Sequence, residues 1–155
     1  MRVAIKLTIV AALTGSVGLA AGPEADAVAA VHRIFGAMAA KDAAALRDAF
    51  LPDARLVAVL PDGRVTTTAA SEWSARIGSA PDALLERMWS PKVHVDGSLA
   101  TLWAPYDFHR GGKFSHCGTD QVTLVRQDGA WKVASLAYTV KREGCEPSPL
   151  GPPKQ

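Results

Sequence analysis

Between residues 92 and 140 apolar side chains recur at every second position, a period that a half-buried strand requires and a helix cannot satisfy. In "PKVHVDGSLA" Val93 and Val95 alternate with Lys92 and His94, giving one dry face and one wet face. Asp96-Gly97 is a two-residue hairpin signal. It pairs Val95 with Ser98 and, by continuation, Val93 with Ala100, Trp89 with Ala104 and Arg87 with Tyr106. The dry face of the next strand is then Ala100, Leu102, Ala104, Tyr106 and Phe108. A turn over His109 to Lys113 brings Phe108 opposite Phe114, Tyr106 opposite His116, Ala104 opposite Gly118 and Leu102 opposite Asp120. Val122 and Leu124 continue that face. Asp128-Gly129 makes the last hairpin and opposes Leu124 with Val133. From Trp131 and Val133 to Leu136, Tyr138 and Val140 the apolar parity flips. Either a bulge or burial on both faces produces such a flip, so the pattern leaves two positions open for Tyr138.

The N-terminal half has the other period. Val28, Val31, Ile34, Phe35 and Met38 fall on one face of a helix over 23–40, with Pro23 and Glu24 suited to its first turn. Asp42 is an N-cap for a second, short helix over 43–50, with Leu46 and Phe50 inward and Pro52 closing it. Residues 55–60 read as a strand that turns through "PDG" into 64–67. A third helix over 68–79 carries Trp73 and Ile77.

The first residues, "MRVAIKLTIVAALTGSVGLAAGPEA", have the pattern of a secretory signal peptide over 1–20. Arg2 and Lys6 precede an apolar run too short for a comfortable bilayer span, and Gly18 and Ala20 stand at the −3 and −1 positions of a cut. An uncleaved anchor is the alternative. A periplasmic or secreted protein, with no membrane segment after cleavage, is expected. The whole chain has 17 basic and 15 acidic residues; without Arg2 and Lys6 the two balance, and no basic stripe suggests nucleic acid. About 135 residues remain, enough for one domain with a real core over 23–145. The tail "EPSPLGPPKQ", residues 146–155, has four prolines and reads as an extended, mobile end. Export also gives meaning to Cys117 and Cys145, the only two cysteines. They form either one disulfide or two inert thiols, and spacing does not decide between them.

The segment "YDFHRGGKFSHCGTD" (106–120) carries the chemistry. On a regular strand His116 and Cys117 face apart, which argues against a thiolate–imidazole dyad. His116 and Asp120 share a face, but four residues at ~3.3 Å each put their Cα atoms ~13 Å apart, too far for two ligands of one metal. No metal and no cofactor are expected. A polar group on a dry face must be hydrogen-bonded in the core, wetted by a cavity, or used on a ligand. Arg87, Tyr106, His116 and Asp120 gather on one side, flanked by Trp89 and Leu102, and this favours a cavity lining. His116, Asp120 and Tyr106 are the catalytic candidates, His116 as acid–base. Arg87 either binds an anion or extends its charge to solvent. Trp103, with Thr119 and Gln121, lies on the outer face as a partner contact or a surface aromatic.

The order of helix, helix, short strands, helix and long antiparallel strands resembles the cone-shaped domains of the nuclear transport factor two-like superfamily. "FLPDARLVAV" (50–59) resembles the stretch after their second helix, and "DGAWKVASL" (128–136) their final hairpin and strand. Residues 93–133 are similar to the exported bacterial branch described as SnoaL-like or "putative lumazine-binding". The resemblance covers about residues 24–145 and implies an α+β fold, a curved antiparallel sheet wrapped around about three N-terminal helices. It also implies a deep apolar pocket for a small apolar or aromatic molecule and a homodimer through the convex face. It does not fix function, because the superfamily holds isomerases, dehydratases, cyclases, hydrolases and non-catalytic proteins. In its steroid isomerases the base lies five residues after the Asp of the Asp-Ala motif; here that place is Ala58, which abstracts no proton. A binding domain is therefore the leading expectation. A lyase, isomerase or cyclase using His116, and a purely structural domain, are the alternatives.

Overall fold

The computed structural model describes residues 22–153; the expected signal peptide lies outside them. Helices α1 (Pro23–Ala40) and α2 (Ala43–Ala49) lead into β1 (Phe50–Val59) and β2 (Val65–Ala69), followed by α3 (Ala70–Gly78). Strands β3 (Leu84–Met88), β4 (Lys92–Asp96), β5 (Leu99–Arg110), β6 (Lys113–Gln127) and β7 (Ala130–Thr139) complete the chain. The helical period holds: Val31, Ile34, Phe35 and Met38 are buried on one face of α1. The Asp42 carboxylate caps α2, accepting from the backbone N–H groups of Ala44 and Ala45 at 3.0 and 2.9 Å. Helix α2 is one residue shorter than its apolar pattern suggests, because Phe50 already begins a strand.

The strands form one curved sheet in the order β2-β1-β7-β6-β5-β3, with β4 following β3 along the same edge of β5. All neighbours are antiparallel except β1 and β7, which run parallel, so the sheet is mixed. Register shifts between Phe50 and Arg55, Phe108 and His109, and Thr123 and Leu124 add the local bends that wrap the sheet around the helices. The concave face meets α1 and carries Ala100, Leu102, Ala104, Tyr106, Val122 and Leu124, all nearly inaccessible.

Side-chain parity along β5 and β6 is as the alternation demands, but the register is displaced by two residues. Ala104 faces Asp120, Tyr106 faces Gly118, and Phe108 faces His116. The tight turn supplies one residue of the shift and the bulge between Phe108 and His109 the other. Gly111 and Gly112 both adopt positive φ and close a tight hairpin between Arg110 and Lys113, where a five-residue turn was expected. Similarly the β4–β5 turn is Gly97-Ser98, so Val95 faces Ala100. At the last hairpin Leu124 does face Val133, and the bulge beside it restores Leu136 and Tyr138 to the concave side.

Parity fails at two places: at the bulge beside the β5–β6 turn, which leaves Phe114 opposite His109 on the outer face and not opposite Phe108, and at the edge between β3 and β4. Trp89-Ser90-Pro91 breaks the edge between β3 and β4, with Ser90 at φ 46° and a proline that donates no ladder bond. The odd residues that face inward on β4 do not continue inward on β3. Arg87 sits opposite Asp107, and Glu86 opposite Phe108. Arg87 therefore lies on the outer face and Glu86 on the inner one, a correction to the expected placement of Arg87 beside Tyr106.

Gly118 is fixed by close approach. A Cβ there would sit 1.9 Å from the Thr139 carbonyl oxygen, against which the β6–β7 edge closes. Beside it Cys117 and Cys145 are joined by a disulfide with Cα atoms 6.1 Å apart. The bridge starts the C-terminal tail on the outer face. There the Arg87 guanidinium donates to the Gly151 carbonyl at 2.9 Å, a tether that composition did not announce.

Candidate functional site

Between α1, α3 and the concave sheet lies a cavity of about 400 Å³. Its walls are mostly apolar, among them Ile34, Phe35, Met38, Leu56, Trp73 and Leu136. Arg76, Ser79, Pro81 and Arg110 line it as well and are exposed, which marks the open end. Tyr106, Asp120, Glu86, Tyr138 and His116 converge on the sheet side.

Of the six residues expected to bind a ligand, the structure brings Tyr106, His116 and Asp120 to this cavity and leaves Arg87, Trp89 and Leu102 off its wall. Leu102 is wholly buried in the core beneath α1. Trp89 stands at the break in the edge strand, where its backbone N–H donates to Pro105. Arg87 is paired with Asp107 behind the sheet, its Nε donating to Oδ1 at 2.8 Å. Burial pushes the Asp107 carboxyl up, but the bonds and charge of Arg87 outweigh it and hold the group below its ordinary range.

Tyr106 is 2% exposed, and its hydroxyl donates to the Thr139 carbonyl at 2.8 Å. Its proton is thus engaged by the backbone, so the side chain serves as wall and strut. The ring stands edge-on to His116 at 5.8 Å and to Tyr138 at 6.5 Å. His116 is half-buried and tilted against Phe108 at 5.0 Å, with Nδ1 3.0 Å from the Ser115 hydroxyl. Burial, with a smaller effect from Arg142, lowers its affinity for a proton and favours neutral imidazole.

Asp120 is 1% exposed, and its Oδ2 has no hydrogen-bond partner among the described residues. Burial pushes its carboxyl up to about 7, partly offset by a hydrogen bond with Glu86. Glu86 is raised well above the ordinary range, by burial first and by the adjacent Asp120 second. Asp120 is buried and Glu86 half-buried, and two carboxyl groups that act on each other there do not both ionise near neutrality. Glu86 is the site residue that sequence reasoning missed. In "LLERMW" both parities are apolar, and the signal that separates them is the strand-breaking Ser90-Pro91 just after.

The family model described as "Putative lumazine-binding" matches residues 23–139. No curated protein matches the chain. A solved nuclear transport factor two-like protein of unknown function from Silicibacter pomeroyi is 24% identical with a TM-score of 0.60, over 76% of this chain and 94% of that one. A "putative dehydratase" of the same superfamily from Streptomyces avermitilis is 18% identical with a TM-score of 0.63, over 76% and 95%. A protein with a cystatin-like fold from Novosphingobium aromaticivorans is 16% identical with a TM-score of 0.62, over 78% and 82%. At these identities the structures speak for the fold. The chain belongs to the "Putative lumazine-binding" family, and its fold is that of nuclear transport factor two-like proteins.

Proposed function

We propose that the protein is an exported domain that holds a small, largely apolar or aromatic molecule in the cavity between α1, α3 and the sheet. The observation that carries this reading is a cavity of about 400 Å³ with apolar walls and a few convergent polar groups on one side, the composition of small-molecule sites. Such a volume lies towards the lower end of the range of small-molecule pockets, roughly 300–1,000 Å³. The family's name agrees with a small-molecule ligand. No helix among the described residues is long and apolar enough to cross a membrane, and the Cys117–Cys145 bridge fits an oxidising compartment. Native mass spectrometry of protein purified from its own source tests the reading. A co-purifying molecule released on denaturation is expected; an empty protein that also takes up no apolar dye would reject it.

A second reading, a lyase, isomerase or cyclase, is favoured by one observation: a half-buried His116 held towards its neutral form on the cavity wall. Replacing His116 by Ala separates the two. For a binding domain, ligand affinity stays within a few-fold. For acid–base catalysis turnover falls by ~100-fold or more.

A further inference from the structure

We propose that Glu86 and Asp120 act as one recognition element, a carboxyl pair holding a single proton between them. This pair selects a ligand whose polar end is a hydrogen-bond donor, cationic or neutral, over one that ends in a carboxylate or phosphate. The proposal rests on the reading of the cavity as a binding site and names the chemical class that site would take.

Register puts both side chains on the concave face, and their mutual effect on proton binding puts them within reach of each other there. Asp120 lies mid-strand on β6 between Ala104 and Tyr138, and Glu86 lies on β3 in the row of Phe108 and His116. Both line the cavity. Asp120 is almost fully buried with Oδ2 unpartnered, so the oxygen is served only by a proton on Glu86 or by a donor brought in from the cavity. With one proton the pair has four oxygens, one O–H and one negative charge. It accepts far more readily than it donates.

The surroundings leave that charge unanswered. From β5 the pair meets Tyr106, whose hydroxyl proton is committed to Thr139, and apolar Phe108. From β6 and β7 come His116, favoured neutral, and Tyr138, whose phenol is raised by burial and by Glu86. Behind the sheet Asp107 is another carboxylate, already held by Arg87. The two arginines that line the cavity, Arg76 and Arg110, are exposed, and Arg110 is bonded to Asp82 at 2.8 Å. An ammonium or an N–H edge supplies what the pair lacks. A carboxylate placed there meets like charge in a site shielded from water.

Four naphthalene probes share one apolar body and differ in the polar end: 2-(aminomethyl)naphthalene, 2-naphthamide, 2-methylnaphthalene and 2-naphthoate. Binding is measured at neutral pH to the chain without its first twenty residues, and to its Glu86→Gln/Asp120→Asn variant. In the wild type the amine should bind about tenfold or more tighter than methylnaphthalene, with the amide between them and the naphthoate weakest, since charge-assisted bonds are the strong ones. In the variant the preference for amine over naphthoate should shrink to within about threefold, because both groups are then neutral amides. Naphthoate binding as tightly as the amine, or an unchanged preference in the variant, overturns the proposal while methylnaphthalene binding keeps the cavity reading alive. If none of the four binds, the cavity reading falls and this proposal falls with it. The wild-type ranking decides the matter alone should the variant not fold.

Discussion

At the scale of single residues the site was half legible. Tyr106, His116 and Asp120 reach the cavity because strand parity survives a register error of two. Arg87 lies outward and Glu86 inward because the break sets three residues, 89–91, against two of β5, a slip of one that reverses parity. The consequence for Arg87 is a structural role that can be tested. Its guanidinium and the Asp107 carboxylate are both largely buried behind the sheet, and His109 Nε2 lies 3.4 Å from the same carboxylate. Truncating one partner of a buried pair leaves an uncompensated charge, so Arg87→Ala should lower unfolding free energy by about 3–5 kcal/mol. Removing Asp107 as well should recover part of that loss, because the stranded carboxylate is gone. Urea denaturation of both variants checks this. Equal destabilisation in the single and the double variant would show that lost packing, and not the ion pair, is what matters.

At the scale of elements the sequence was most informative where a pattern was long and least where a turn decided register. The eighteen residues of α1 and the alternation of β5 and β6 were readable from periodicity. The tight Gly111-Gly112 turn was not, since the bulge beside it restores the parity that a longer loop gives without one. The tail was read from its prolines, and composition carries no information about what a chain end touches. Its anchor is the disulfide, which closes a loop with a sequence separation of 28. Closing a loop of that length restricts the unfolded chain by an amount worth about 3–4 kcal/mol in the entropic account. Replacing Cys117 and Cys145 by alanine should therefore lower stability by about 2–4 kcal/mol. Intact mass of protein purified from its own source checks the bridge itself. A chain starting at Ala21 and lacking both thiol hydrogens is expected, and alkylation without prior reduction would refute it. Loss of the bridge should also free the tail, seen as faster amide exchange over 146–151 than in the wild type.

At the scale of the whole molecule, two surfaces of one sheet do different work. The outer face is covered at one end by the tail, while Trp103, opposite Gln121, is left 56% exposed. We infer that this open part, with Thr119, is the homodimer surface, and Trp103→Glu should shift the sedimentation of a dimer to that of a monomer. An unchanged species would place the contact elsewhere. The inner face holds charge at a cost, and that cost has a pH signature. Asp120 is raised from 3.8 to about 7, and Glu86 is raised from 4.5. A carboxyl raised by folding binds its proton more tightly in the native state than in the unfolded chain, so ionisation penalises the fold. The pair's contribution is therefore most favourable below the unfolded values and is lost as pH climbs from about 4 through about 7. Among the groups of the sheet, Asp107 and His116 have the opposite sign. Asp107 is lowered, and the stability it provides disappears as pH falls through its folded value. His116 is lowered from 6.5, so acidification below that point favours the unfolded chain. The wild-type profile mixes these slopes, but the Glu86→Gln/Asp120→Asn variant removes only the first. Its stability relative to the wild type should rise between pH 4 and pH 8 by roughly 2 kcal/mol or more. Urea unfolding at constant ionic strength measures the difference directly. Parallel profiles for the two proteins would mean that the pair ionises as freely in the fold as in the open chain, and the inner face would then carry no stored charge for a ligand to meet.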